Sequence, residues 1–120
     1  MKVIVAGSRT IVSYGEVRRA IKTSPFHITE IVSGGAKGVD SCGETWALHE
    51  SIPLKRFPAD WLKYGKAAGP IRNRAMAKYA DALIAVWDGL SRGTQDMILQ
   101  SARMGLPVYI VPVTGGDVDD

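Results

Sequence analysis

A chain of 120 residues, 46% hydrophobic and 22% charged, has the size and composition of one globular domain, large enough to bury a core without metal or disulfide staples. Its one cysteine, Cys42, excludes an intrachain disulfide and a cysteine-based zinc site, and points to a reducing, cytoplasmic setting. No apolar run approaches the roughly 20 residues that cross a bilayer, and the net charge of +3 suits an anionic ligand without requiring one.

In chain order, residues 2–6 form a β-branched run that predicts a first strand, too short at about five apolar residues for a secretory segment. A turn follows at Gly7-Ser8-Arg9-Thr10, and Tyr14, Val17 and Ile21 recur at helical spacing. Residues 30–33 predict a second strand, broken by Gly34-Gly35, and Val39, Cys42 and Trp46 a second helix. Residues 53–57 predict a third strand and 58–69 a polar loop. A helix opens at Pro70, a favoured first-turn residue, and carries Ile71, Ala75, Met76 and Tyr79. Residues 81–87 predict a fourth strand, 88–93 a loop, and a last helix runs to about Met104, stopped by Gly105 and Pro107. Residues 108–111 predict the fifth strand. One domain thus spans 1–113, and 114–120 read as a frayed tail that holds Asp117, Asp119 and Asp120.

Strands alternating with helices imply an α/β domain, a mostly parallel sheet of about five strands with helices on both faces. Ligands of such sheets bind outside the carboxyl ends of the strands. Four segments there stand out. In the first, Gly7 admits close backbone approach, Ser8 offers a hydroxyl and Arg9 a five-donor fork; a tight turn with an exposed arginine is the plainer reading. In the second, Ser33-Gly34-Gly35-Ala36-Lys37-Gly38 leads into a helix, where free N–H groups cradle an anion or the glycines serve close packing. Asp40, in the first turn, either caps that helix or binds a ribose hydroxyl.

The third segment is Gly69-Pro70-Ile71-Arg72-Asn73-Arg74. Arg72 and Arg74 fall in the predicted first turn, where the helix dipole opposes cations unless an anion offsets them, and Asn73 adds an amide able to read a base or sugar. The fourth is Trp87-Asp88-Gly89-Leu90-Ser91-Arg92-Gly93-Thr94. Gly93-Thr94 open a helix, Arg92 again brings a cation, and Trp87 offers a stacking face or fills core or interface. Arg9, Lys37, Arg72, Arg74 and Arg92 are expected to converge on one anion-sized site, with Gly7, Ser8, Ser33, Gly34, Gly35, Ala36, Gly38, Asp40, Asn73, Trp87, Asp88, Gly89, Ser91, Gly93 and Thr94 completing it.

The run from Met1 to Arg9, the Ser33 to Asp40 stretch, Gly69-Pro70-Ile71-Arg72-Asn73 with Met76-Ala77, and Trp87-Asp88-Gly89 through Gly93-Thr94 resemble the SLOG superfamily, in particular its small YspA-like, YpsA-related branch. The resemblance implies a Rossmann-like three-layer fold and a nucleotide-derived ligand at the glycine-rich loops, with homo-oligomerisation as dimer or tetramer. Members of the wider superfamily include cytokinin-activating phosphoribohydrolases, a DNA-processing protein that loads single strands, and sensors of NAD- or ADP-ribose-like signals.

The phosphoribohydrolase motif Pro-Gly-Gly-x-Gly-Thr-x-x-Glu, laid on Gly93-Thr94, puts Met97 in place of the glutamate. Asp96 is turned away by about 100° on the helix. Other carboxylates near the rim are Asp40, Glu44, Asp60 and Asp88, while His27 and His49 lie away from it. No catalytic residue, metal site or cofactor is therefore assigned. The leading expectation is a domain that binds an NAD/ADP-ribose-like or cyclic signalling nucleotide without catalysis, as a sensor or a sequestering protein, the latter including a phage counter-defence role. The alternatives are N-glycosidic hydrolysis and single-stranded nucleic-acid binding, the second resting on net charge and on Trp87, Trp61 and Tyr64 as stacking faces. Three tryptophans also suggest an interface between copies.

Overall fold

The computed structural model describes residues 1–11 and 13–113, so the tail expected at 114–120 lies outside the described residues. The elements are β1 (Lys2–Gly7), α1 (Tyr14–Thr23), β2 (Glu30–Ser33), α2 (Val39–His49), β3 (Leu54–Arg56), α3 (Trp61–Tyr64), α4 (Ala68–Tyr79), β4 (Ala82–Trp87), α5 (Arg92–Arg103) and β5 (Val108–Pro112). A short 3-10 turn, Gly65–Ala67, joins α3 to α4. The five strands form one parallel sheet in the order β3-β2-β1-β4-β5.

β1 and β4 occupy the centre because their apolar runs can be buried on both faces, as parallel sheets require. Successive side chains alternate between faces. Val3 and Val5 join Val17, Ile21, Ile31, Val39 and Trp46 under α1 and α2, while Ile4 joins Val32, Met76, Leu83 and Met97 under α4 and α5. The helices start where their caps allow. Ser13 Oγ accepts from the Glu16 N–H at 3.3 Å before α1, and Ser91 Oγ from the Thr94 N–H at 3.4 Å before α5.

The connection from β1 leads to one side of the sheet, and the one from β3 crosses back over β1 to β4 on the other. The chain therefore splays apart above the carboxyl ends of β1 and β4, which opens a crevice there. Gly7 stands at that point. A Cβ on it would lie 2.0 Å from the Val86 carbonyl oxygen and 2.7 Å from Val39 Cγ2. Gly43 likewise lets α2 settle on β1, since its Cβ would lie 2.9 Å from Val5 Cβ.

Two expected boundaries move. The stretch 58–69, expected as a polar loop, contains α3, the 3-10 turn and the first two residues of α4. Pro70 consequently sits third in its helix, still within the first turn where a missing N–H removes no helix bond. Arg72 and Arg74 then fall in the second turn, beyond the strongest field of the helix terminus, so the expected clash with the dipole does not arise.

Gly7→Ala should destabilise the domain by more than about 3 kcal/mol, because the methyl meets backbone that cannot give way. Urea denaturation of the variant checks this, and a loss under about 1 kcal/mol would show that the β1–β4 junction yields.

Candidate functional site

The crevice opens into a cleft of two connected lobes, of about 270 and 540 Å³, that share Arg9, Ala36, Trp61 and Arg72. The first lobe runs between α4 and α5 and is closed by Gly7, Asp40, Asn73, Met76 and the residues from Ser91 to Met97 other than Gln95. The second lies over the β2–α2 loop and the end of β3, against Gly34, Gly35, Glu44, Arg56, Pro58 and Ala59.

Each rim loop is built by its own short side chains. Ser8 is buried: its Oγ accepts from the Asp88 N–H at 3.2 Å, and its carbonyl accepts from the Ile11 and Val39 N–H groups. Asp88 Oδ1 accepts from the N–H groups of Leu90 and Ser91 at 2.8 and 3.0 Å, which shapes the β4–α5 loop. The Leu90 N–H above all holds this carboxyl below its ordinary range, against the effect of partial burial. Trp87 Nε1 donates to the Ser91 carbonyl at 3.1 Å. Ser33 Oγ donates to Glu44 Oε2 at 2.8 Å and accepts from the Gly35 N–H at 3.0 Å. Burial works against the charge on Glu44, but the hydrogen bonds from Arg56 and Ser33 outweigh it and lower its pKa.

A relay of bonds ties the β2–α2 loop, α4 and α5 together. Arg72 Nη1 donates to the Gly34 carbonyl at 2.6 Å and Arg72 Nε to Asn73 Oδ1 at 2.9 Å. Asn73 Nδ2 donates onward to Asp96 Oδ2 at 3.0 Å and to the Gly93 carbonyl at 3.3 Å. Gly34 has no Cβ because one would meet Arg72 Nη1 at 2.6 Å and Asp40 Oδ2 at 3.0 Å. Asp40 is 6% exposed and accepts from the Ala36 N–H at 3.3 Å. Burial raises its pKa from the ordinary 3.8 to about 6, with the Ala36 N–H and the Arg72 charge pulling the other way. Burial likewise lowers the Arg72 pKa, opposed by Asp40.

Of the five cations expected to converge, Arg9, Arg72 and Arg92 border the cleft, whereas Lys37 and Arg74 line neither lobe. Arg74 follows Arg72 by two residues, about 200° around the helix, and cannot share its face. Gly7, Gly34, Gly35, Ala36, Asp40, Asn73, Ser91, Gly93 and Thr94 also border it. Ser8, Ser33, Gly38, Trp87, Asp88 and Gly89 do not, and most of them build the loops behind it. Gly38, at φ 77°, clears the Ser8 carbonyl, which a Cβ would meet at 2.5 Å.

Trp61, named for its stacking face but placed in a stretch expected as loop, and Glu44, named as a rim carboxylate, both line the cleft. Arg56, which the sequence did not single out, lines it too and pairs with Glu44 at 2.8 Å from the next strand. Asp96 lines the cleft beside Met97, because the cleft wraps around the first turns of α5. Met97 is 1% exposed and forms apolar floor. Asp60 caps α3 by accepting from the Lys63 N–H at 3.1 Å. His49 Nδ1 pairs with Tyr14 Oη at 3.2 Å, away from the cleft. Among the described residues no cluster of three His, Cys, Asp or Glu side chains could hold a metal, and no helix is long and apolar enough to cross a membrane.

A pKa of about 6 for Asp40 means that the native state holds its proton between pH 3.8 and 6, where the unfolded chain has lost it. Stability therefore falls as pH rises through that window, by up to about 3 kcal/mol at pH 7. Asp40→Asn keeps an acceptor for Ala36 and should raise stability at pH 7.5 by about 1–3 kcal/mol while flattening the pH 4–6 slope. Thermal melts across pH check both; an unchanged slope would show that Asp40 is ionised at its ordinary pKa.

Comparison with known proteins agrees with this architecture. The chain is 29% identical over 117 residues to the Gene 61 protein of Mycobacterium phage D29, across 89% of this chain and 93% of that protein. It superposes on DNA processing protein A (DprA) from Streptococcus pneumoniae with a TM-score of 0.77 at 23% identity, which covers 97% of this chain and 52% of that one. The likeness is one of fold, and the chain spans about half the length of that protein. The model of the YspA, cpYpsA-related SLOG family matches residues 1–64, more than half of the sequence. The parallel five-stranded sheet, the crevice at its switch point and this match agree, and the chain belongs to the YspA, cpYpsA-related SLOG family.

Proposed function

We propose that the chain binds a nucleotide or nucleotide-derived small molecule, NAD/ADP-ribose-like or a cyclic signalling nucleotide, as a sensor or sequestering protein that does not turn it over. The observation that carries this reading is Gly93. It is the second residue of α5, its φ is not positive, and a Cβ there would meet nothing within 4 Å. Neither backbone conformation nor packing calls for glycine, which weakens a helix by about 0.5–1 kcal/mol relative to alanine. It borders the cleft between Arg92 and Thr94, in the turn whose N–H groups have no intrahelical acceptor, with Arg9 and Arg72 lining the same lobe. A phosphate group accounts for all of these at once: it uses the N–H donors, fills the space left by the missing Cβ and offsets the cations. Met97, apolar and buried beneath, supplies no carboxylate where the related hydrolase motif has one.

Gly93→Ala should therefore raise thermal stability by about 0.5–1 kcal/mol yet weaken AMP or ADP-ribose binding at least about tenfold, or 1.4 kcal/mol. Arg9→Ala should weaken the same ligands by about 1.5–3 kcal/mol. Calorimetry of both variants decides, and wild-type affinity in both would remove the site. Chromatography of incubated nucleotides should show no free base; turnover near one per second would replace binding with hydrolysis, with Asp40 and Asp96 the carboxylates to mutate first.

A second reading, single-stranded DNA, is favoured by one stretch of surface. Trp61, Leu62 and Tyr64 are exposed in α3, with Lys63 between them and Lys66 in the following turn. Exposed aromatics beside cations can stack bases and hold phosphates, and the structural neighbour is named as a DNA processing protein. Oligothymidylate binding that falls steeply with salt would favour this reading; its absence at low salt would remove it.

A further inference from the structure

We propose that Trp61 is the platform on which the ligand's aromatic base stacks, so that it selects for a base where the arginines select only for phosphate. The proposal rests on the nucleotide reading above. Trp61 borders both lobes, and its residue remains 51% exposed. No residue of α3 is buried, so the core does not require this indole. Its position is nevertheless set: Asp60 caps α3, and the indole Cη2 lies 3.5 Å from where a Cβ on Gly69 would stand, against the start of α4. An exposed, positioned aromatic at the mouth of a cleft is the arrangement that base stacking uses.

The neighbours fit the two ends of a nucleotide. Pro70 and Met76 give the lobe beside Trp61 an apolar wall for a ring, while Arg9 and Arg72 border the same two lobes and meet a phosphate. The other tryptophans are committed elsewhere. Trp46 is 7% exposed in the core, and Trp87 is held by its bond to the Ser91 carbonyl and lines neither lobe. Stacking should thus be visible as a change in one exposed tryptophan out of three.

The test titrates AMP and ribose 5-phosphate, which lacks the base, into wild type, Trp61→Ala and Trp61→Phe by calorimetry, with fluorescence alongside. AMP should quench the solvent-exposed emission of wild type, and ribose 5-phosphate should not. Trp61→Ala should lose roughly ten- to hundredfold in AMP affinity, the usual range for one stacked base, and keep its ribose 5-phosphate affinity within about twofold. Trp61→Phe should restore most of the AMP affinity and abolish the quenching. Unchanged AMP affinity in Trp61→Ala, or equal loss for both ligands, overturns the platform while leaving the nucleotide reading in place. Wild type that binds neither ligand overturns both.

Discussion

The cleft depends on one adjacent pair, Arg72 and Asn73, in the second turn of α4. Through them the Gly34 carbonyl, Asp96 and the Gly93 carbonyl are joined by bonds of 2.6 to 3.3 Å. These groups belong to the β2–α2 loop and to α5, elements that the sheet order holds apart. Asn73 is 5% exposed, so each bond it makes is needed to meet the demands of a buried amide. Arginine suits the other half because its fixed fork donates in two directions at once, which a lysine ammonium on a mobile stem does not. The pair thus sets the width of the cleft and leaves Arg72 both a structural tie and a charge lining it.

The glycines divide along the same line. Gly7, Gly34 and Gly38 are excluded volume: a Cβ at each would press within about 3 Å of neighbouring backbone or side chains. Gly35 is conformational, at φ 76° with open space around it. Gly93 answers to neither demand. The glycines of the rim are therefore not interchangeable, and at Gly93 neither packing nor backbone conformation calls for glycine. The run Gly34-Gly35 and Gly38, which looks most like an anion cradle in sequence, is the part most occupied with holding α2 and Arg72 in place.

Much of the fold is legible in the sequence because its central strands are uninterrupted apolar runs and because α1 and α5 carry side-chain caps at Ser13 and Ser91. The five strands of the sheet, residues 30–33 at full extent among them, coincide with the expected runs within one or two residues. Local pattern fails at 58–69, where α3 is four residues long and buries nothing, so it leaves no apolar period to read. It fails differently at the cleft. Which loops meet follows from topology, and Gly7, Asp40, Arg72 and Gly93 are found that way. Which side chains turn inward follows from helix azimuth and register, so Arg74 and Lys37 look equivalent to Arg72 and Arg9 on paper. Asp96 and Trp61, both noticed by residue type, find their places on the cleft only once α4 and α5 are packed and α3 is seen beside them. The three tryptophans take three different places: core, loop anchor and cleft mouth.

What remains is why the site keeps a buried carboxylate beside its most committed arginine. Asp40 in isolation lowers stability at neutral pH, since burial costs its charge more than Ala36 and Arg72 return. Without it, Arg72 would be a half-buried cation with only carbonyl and amide oxygens as partners. With a pKa of about 6, the carboxyl is largely ionised at neutral pH and balances the Arg72 charge. Arg9 and Arg92 face solvent, and among the described residues neither has such a buried counter-charge. The cost in stability at Asp40 is thus what balances a half-buried arginine inside a small domain, and the two apolar cores on either side of the sheet are what allow the fold to carry it.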